Sequence, residues 1–234
     1  TNVVNLVRKN TKVFLLLSGK NDFEMLVNKF REAGINHVKI SAGYRLSYPE
    51  EKLFTFYLDE FETKLFDLPE GVYTCLIENE DCEEQILTPG IDDEIFSRTK
   101  VPMTKNEVRV LSISRLELTK NAVVYDVGSG TGSVSIECAR LSPDIFVFAI
   151  EQKEEAANLT KENAVRLGLS DQIVVINKKA PEGFEELPTP THVFIGGSSG
   201  ALSDILSAIQ KKLIVKENTK GKTNKASKGV RVVI

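Results

Sequence analysis

The segment from Val123 to Ala139 constrains the fold of this chain more than any other part of its sequence. It reads VVYDVGSGTGSVSIECA, so a β-branched run reaches Asp126 and is followed by Gly128, Gly130 and Gly132. Closely spaced glycines let the backbone turn sharply and approach a ligand, and the start of a following helix offers unpaired N–H groups. The segment therefore predicts a strand, a ligand-binding loop and a helix.

Strands and helices alternate on both sides of this segment. The apolar periodicity predicts strands over 122–126, 145–150, 173–177 and 193–195 and helices over 105–118, 133–141, 153–167 and 201–213. Such alternation is typical of an α/β domain with a mainly parallel sheet and helices on both faces. We expect residues 215–228, which contain few apolar side chains, to form a mobile loop. The strand that begins at residue 229 stops early, so we expect the chain to be cut short there.

The first part of the chain has a different pattern. It predicts a βαβ unit with strands over 13–17 and 37–41 around a helix over 22–33, then a helical segment over 52–66 and a strand over 71–78. The acidic residues 78–84 and the following Thr88-Pro89-Gly90 oppose regular structure. We therefore predict a smaller α/β domain over 1–90 and a larger one over 91–234.

The composition of the chain argues against several classes of function. The 30 Lys and Arg against 33 Asp and Glu give a net charge of −3, so no global positive field gathers nucleic acid or an anionic membrane. There is no apolar run long enough to span a bilayer and no signal-peptide pattern, so a soluble cytoplasmic protein without membrane or nucleic-acid partners is expected. Three cysteines and two histidines lack metal-ligand spacing, and no metal is expected.

Two carboxylates sharpen the prediction for the glycine segment. Asp126 would repel a pyrophosphate, and Ser133 stands where a dinucleotide-binding loop has its third glycine. Asp126 can instead organise the loop or accept a bond from an ammonium group. Glu151 follows the next predicted strand, where its two oxygens can accept both hydroxyls of a ribose, although an acid that begins a helix also explains it. Together the two features predict an adenosine site.

The D-x-G-x-G-x-G loop with Glu151 resembles the class I methyltransferases that use S-adenosyl-L-methionine. An N-P-P-Y-like motif is absent where Phe194–Gly200 stand, and this glycine-rich stretch holds no side-chain base. A substrate carbon that is already nucleophilic needs only alignment with the methyl group. A class I methyltransferase for RNA or protein remains the alternative. The basic strip Lys216–Lys228 favours this alternative.

Three further motifs resemble one family, the CbiT-type decarboxylating precorrin methyltransferases. They are VPMTKNEVR over Val101–Arg109, APE over Ala180–Glu182 and FIGG over Phe194–Gly197. The resemblance implies methylation of C15 of a precorrin-6B-type tetrapyrrole in cobalamin biosynthesis, with loss of the ring C acetate as CO₂. It also implies a homo-oligomer, for instance a tetramer. Thr191 departs from the family, which usually has an acidic residue there.

The resemblance, with the reasoning above, assigns roles to individual residues. The expected cofactor contacts are Thr104, Asp126, Gly128, Ser129, Gly130, Thr131, Gly132, Glu151 and Ala180. The expected substrate contacts are Lys105, Arg109, Gly196 and Gly197, of which the two cations would bind substrate carboxylates unless they belong to a solvated helix face. No catalytic residue is predicted.

The first 90 residues resemble, more faintly, the C-terminal half of a CbiE-type precorrin C5-methyltransferase. The resemblance rests on LLSGKND and on GYRLSYPEEK, and it makes the chain similar to CobL-like fusions of the two activities. The cofactor loop of such a methylase is absent from these residues. We therefore expect this first domain to lack methyl-transfer activity.

Overall fold

A computed structural model describes residues 3–61, 68–82, 88–219 and 229–234, with the side chains of 215–219 left out. The chain divides into two compact units, Thr1–Ile86 and Leu87–Ile234. This division lies close to residue 90, where we expected a boundary. No helix within the described ranges is long and apolar enough to cross a membrane.

The first unit contains a four-stranded sheet whose neighbouring strands are all antiparallel. Its elements are α1 (Val3–Lys9), β1 (Lys12–Leu17), α2 (Lys20–Glu32), β2 (Val38–Tyr44), β3 (Lys52–Tyr57) and β4 (Tyr73–Asn79). The strand order is β1-β4-β2-β3. Strand β4 therefore separates the two strands of the predicted βαβ unit and runs antiparallel to both.

The predicted helix over 52–66 is wrong in its first part. Residues Lys52–Tyr57 form β3, which pairs with β2 in the register Ile40↔Phe56, and a single 3₁₀ turn follows over Leu58–Glu60. Phe56 is buried in the core while Leu53 and Tyr57 are exposed, as expected for a strand with one buried face. Pairing with β2 thus overrides a local pattern that fitted a helix. Residues 62–67 lie outside the described part of the chain.

The second unit is built around a five-stranded parallel sheet. Its elements are α3 (Asn106–Leu116), β5 (Val123–Val127), α4 (Ser133–Arg140), β6 (Phe146–Ile150), α5 (Glu154–Arg166), β7 (Ile173–Ile176), β8 (His192–Ile195), α6 (Leu202–Thr219) and β9 (Arg231–Val233). The strand order is β7-β6-β5-β8-β9, and every neighbouring pair is parallel. The predicted α/β class, with a Rossmann-like sheet of the class I methyltransferase type in the second unit and a smaller α/β unit before it in the sequence, is confirmed.

One predicted loop of the second unit is partly helical. Helix α6 continues through residues 215–219, which we expected to begin a mobile loop. The rest of that predicted loop, residues 220–228, lies outside the described ranges.

Apolar side chains cover both faces of the parallel sheet. Val124 packs in one cluster with Ile113 of α3 and Ile136 of α4, whereas Tyr125 packs in another with Ile205 of α6. Successive residues of a strand point to opposite faces, so β5 supplies both clusters. With both faces covered, the carboxyl edge of the sheet is the place where the strands lead into ligand-binding loops.

Candidate functional site

A cavity of about 380 Å³ lies at the carboxyl ends of β5, β6, β7 and β8. Its walls come from Val101–Thr104, Val127–Gly130, Ile150–Lys153, Ala156, Lys178–Ala180 and Gly196–Ser199. Parallel strands bring these loops to one edge of the sheet, although they are far apart in sequence. The cavity falls in the size range of small-molecule and cofactor sites.

The glycine loop is shaped by the backbone that surrounds it. Gly128 and Gly130 have φ angles of +76° and +58°, which residues with a side chain adopt only under strain. A Cβ at Gly128 would stand 2.7 Å from the carbonyl oxygen of Gly197, and one at Gly130 would stand 2.7 Å from that of Pro102. Only glycine fits at either position, and the loop can therefore come close to the contents of the cavity.

Glu151 is held rigidly beside this loop. Its Oε2 accepts the N–H of Gly130 at 3.1 Å and its Oε1 accepts the N–H of Lys153 at 2.9 Å. Among the described residues no cation lies within ion-pair distance of it, and the side chain lines the cavity while only 8% of the residue is exposed. Each carboxylate oxygen has a second lone pair, so the pair can still accept two hydroxyl groups. This geometry fits a vicinal diol.

A hydrogen bond links the two sides of the cavity beyond β5. The Nε2 of Gln152, which follows β6, donates to the Oγ of Ser199, which follows β8, at 2.7 Å. Because β6 and β8 flank β5, this bond passes over the carboxyl end of β5. Sequence patterns held no signal for it, since the two residues are 47 positions apart.

The structure brings most of the predicted site residues together. Of the predicted site residues, those that line the cavity are Thr104, Gly128, Ser129, Gly130, Glu151, Ala180, Gly196 and Gly197. Outside its lining are Asp126, Thr131, Gly132, Lys105 and Arg109.

Asp126 lies beneath the glycine loop and is fully buried. Its Oδ2 accepts a 2.5 Å hydrogen bond from the hydroxyl of Ser135 on α4, and its Oδ1 has no partner among the described residues. Burial is the main reason that the pKa of Asp126 rises from 3.8 to about 6. Of the two roles left open by its sequence position, the geometry favours organising the loop.

Thr131 and Gly132 form the side of the loop that faces away from the cavity. Thr131 is fully buried, and a Cβ at Gly132 would stand 2.7 Å from the Cγ2 of Thr160 on α5. Asn163 of α5 also donates to the carbonyl of Thr131 at 2.9 Å. These two residues therefore attach the loop to α5.

The predicted role of Arg109 in substrate binding conflicts with its position. Arg109 is fully buried, and its guanidinium donates to Glu137 at 3.3 Å, to Asp93 at 3.1 Å and to the carbonyl of Thr104 at 2.7 Å. A further donor contacts the carbonyl of Ile91. Arg109 does not line the cavity but bonds to Thr104, which does, so Arg109 holds the segment that forms one wall of the cavity.

Lys105 is also outside the cavity. Its ammonium lies 3.2 Å from Asp93, and its side chain is largely exposed. Burial alone would raise the pKa of Asp93, but hydrogen bonds from Arg109 and Lys105 outweigh this effect and lower it. Lys105 and Arg109, one helical turn apart, therefore share the carboxylate of Asp93, and Lys105 as a substrate contact stays a prediction.

Three cavity residues that sequence reasoning missed are lysines. Lys153 lies two residues after Glu151, and Lys178 and Lys179 lie two and three residues after the end of β7. Their positions just beyond parallel strands were a usable signal, because such residues meet at the ligand-binding edge.

Named proteins from other organisms are similar to this chain. A relative from Pyrobaculum calidifontis, named "Probable cobalt-precorrin-6B C(15)-methyltransferase (decarboxylating)", is 46% identical over 52% of this chain and 63% of its own length. A relative of the same name from Saccharolobus solfataricus is 38% identical over 54% of this chain and 65% of its own. The chain therefore spans less than two thirds of the length of these relatives.

Solved structures and a family model agree with these relatives. The crystal structure of precorrin-6y C5,15-methyltransferase from Geobacter metallireducens GS-15 matches 54% of this chain and 65% of its own, with 36% identity and a TM-score of 0.50. The sequence model of the family described as the precorrin methyltransferase domain matches residues 94–219. Since this match covers more than half of the sequence, the chain belongs to the precorrin methyltransferase domain family.

Proposed function

We propose that the second unit binds S-adenosyl-L-methionine in this cavity and methylates C15 of a precorrin-6B-type tetrapyrrole, with loss of the ring C acetate as CO₂. The names of the relatives support this reaction. The observation that carries the proposal is Glu151, whose oxygens are held by the N–H groups of Gly130 and Lys153 at the wall of the cavity. A fixed carboxylate beside a close-approach glycine loop suits an adenosyl ligand.

Each part of the cavity has a role in this proposal. Glu151 accepts the two ribose hydroxyls, Ala180 lies beside the base, and Gly128 and Gly130 let the backbone approach the amino-acid end. When bound, the cofactor supplies an electrophilic methyl group on its sulfonium. Buried Asp126 stabilises the loop from beneath through Ser135.

The substrate side of the cavity offers space and backbone rather than a base. Gly196 and Gly197 line it, and a Cβ at Gly197 would meet nothing within 4 Å. We propose that the protein aligns a nucleophilic ring carbon with the methyl group and excludes water from the acetate that is lost. The conjugated macrocycle then takes up the electron pair that departing CO₂ leaves.

Titration calorimetry with S-adenosylhomocysteine tests the donor site. The unmodified protein should bind it saturably, and Glu151→Gln should weaken binding by about 10- to 100-fold, because hydrogen bonds to a charged group contribute about 1.5–3 kcal/mol each. The matched control is Glu154→Gln, an exposed acid in the first turn of α5 that does not line the cavity. Absence of binding by the unmodified protein would overturn the proposal.

Mass spectrometry tests the reaction. Incubation with S-adenosylmethionine and a precorrin-6B-type substrate should add one methyl group and remove one CO₂ per tetrapyrrole. An unchanged tetrapyrrole together with methylated RNA would instead favour the alternative function. The basic strip Lys216–Lys228, which favours an RNA substrate, lies mostly outside the described residues.

The proposed function also covers the role of the first unit and the oligomeric state. We propose that the first unit does not transfer methyl groups itself, and that the protein acts as a cytoplasmic homo-oligomer. Size-exclusion chromatography with light scattering should give a mass of at least twice the 26.0 kDa of one chain. A monomeric mass would contradict the oligomer.

A further inference from the structure

Three lysines form a cationic rim at one end of the cavity. The lysine rim consists of Lys153, Lys178 and Lys179, whose side chains are exposed and belong to residues that line the cavity. None of the three forms an ion pair with any acid in the described ranges, whereas Lys105 is paired with Asp93 and Lys120 with Asp144. These three charges are therefore available to a ligand.

The backbone holds the lysine rim at a defined place. The N–H of Lys153 donates to Glu151, and that of Lys178 donates to the carbonyl of Ile176 at 3.0 Å. The carbonyl of Lys179 accepts the N–H of Glu182 at 2.8 Å. The lysines are thus attached to the ends of β6 and β7 rather than to an unstructured surface.

The charge of this region is opposite in sign to that of the chain. The cavity is lined by three lysines and one acid, Glu151, although the whole chain has a net charge of −3. Both oxygens of Glu151 already accept backbone N–H groups. Clustered cations at a cleft attract ligands that carry several negative charges.

The sheet order sets the distance over which such a ligand extends. The lysine rim follows β6 and β7, while Gly196 and Gly197 follow β8 on the far side of β5. At about 4.8 Å between neighbouring strands, β7 and β8 are about 14 Å apart. A planar macrocycle with a reacting carbon near Gly197 can therefore place carboxylates of its opposite rim over the lysines.

We propose that the lysine rim binds the peripheral carboxylates of a polycarboxylate macrocycle and so fixes which ring edge faces the methyl donor. This inference rests on the proposed function and adds the residues that recognise the substrate. It assigns to Lys153, Lys178 and Lys179 the role that the sequence had suggested for Lys105 and Arg109.

Fluorescence titration with uroporphyrin, an octacarboxylate porphyrin, tests the rim. The double variant Lys178→Gln/Lys179→Gln should weaken uroporphyrin binding at least about tenfold at low salt, since each lysine contributes a charge-assisted bond. The loss should shrink as salt is added. The rim variant should lose more uroporphyrin affinity than S-adenosylhomocysteine affinity, because the rim contacts the carboxylates of the macrocycle.

The control is the variant Lys120→Gln/Lys161→Gln, which removes the same charge from exposed lysines outside the cavity lining. It should leave uroporphyrin affinity unchanged. Equal losses in both double variants, or no binding of uroporphyrin by the unmodified protein, would overturn the inference. A rim variant that loses as much S-adenosylhomocysteine affinity as uroporphyrin affinity would also overturn it. If the unmodified protein binds uroporphyrin through the rim but not S-adenosylhomocysteine, the donor site fails and the rim stands.

Discussion

Glu137 and Glu151 are both buried glutamates of the second unit that accept backbone N–H groups, yet they have different roles. Glu137 accepts the N–H groups of Gly90 and Ile91 at 2.8 and 2.7 Å and is also paired with Arg109 and Arg140. Glu151 accepts two N–H groups, lines a cavity and has no cation partner among the described residues.

The two glutamates differ in whether their charge and their lone pairs are fully used by partners inside the protein. The charge of Glu137 is neutralised inside the protein, so its role is to hold the segment that leads to the cavity wall. Glu151 keeps lone pairs and charge that only a ligand can use, which is the pattern expected of a binding residue. A buried carboxylate therefore indicates function when its partners inside the protein are incomplete and a cavity lies beside it.

Arg109→Met should give the largest effect and tests the structural half of this comparison. The substitution removes the fully buried one of the two cations paired with Glu137, together with the donor to the carbonyls of Ile91 and Thr104, which costs about 3–5 kcal/mol of the free energy of unfolding. Urea unfolding followed by circular dichroism measures it. The matched control is Lys105→Met, which removes an exposed partner of the same Asp93 and should cost less than about 1 kcal/mol. Equal costs would show that burial of the Arg109 cluster does not matter.

Asp126→Asn concerns a carboxylate that has neither a cation nor a place in the cavity lining. Because burial raises the pKa of Asp126 from 3.8 to about 6, the folded state keeps a proton that the unfolded chain has released. The unmodified protein therefore loses up to about 3 kcal/mol as the pH rises from about 4 to about 7, and the Asn variant does not lose this contribution.

Urea unfolding of both proteins across that pH range measures the effect. The stability of Asp126→Asn relative to the unmodified protein should increase with pH. Ser135→Ala should enlarge the loss in a chain that keeps Asp126, since it removes the hydroxyl that stabilises the charged form. A difference that stays constant with pH would contradict the burial of a raised-pKa carboxyl group.

Gly130→Ala tests the binding half of the comparison. Gly130 donates its N–H to Glu151, has a φ of +58°, and has no room for a Cβ beside Pro102. We expect a cost of about 1–2 kcal/mol from the backbone conformation, together with a loss of S-adenosylhomocysteine affinity in calorimetry as the loop moves from Glu151. The control is Gly200→Ala, since Gly200 has a φ of +83° but nothing within 4 Å of a Cβ. Equal loss of affinity in both variants would mean that strain alone, and not the fit at Pro102, sets the loop.

The parts of the site that sequence predicted are those built from local signals. The glycine spacing after β5 and the acid after β6 each follow a short apolar run, so their place at the edge of the sheet could be inferred. Arg109 could not be assigned in this way, because its partner Glu137 is 28 residues away and its burial depends on the packing of α3 against α4. The first part of the predicted helix over 52–66 failed for a similar reason, since β3 exists through its pairing with β2.

The sequence alone determined the α/β alternation of the second unit, the position of the glycine loop and the identity of the acid beside it. Only the tertiary structure decided which charged side chains are neutralised inside the protein and which face the cavity. The charges of Arg109, Lys178 and Lys179 can be read from the sequence. Whether each side chain is solvated or paired depends on neighbours that folding brings from distant positions. For this reason the lysine rim could be identified only from the fold. The structure also places Arg109 among the residues that support the cavity wall and not in the cavity lining.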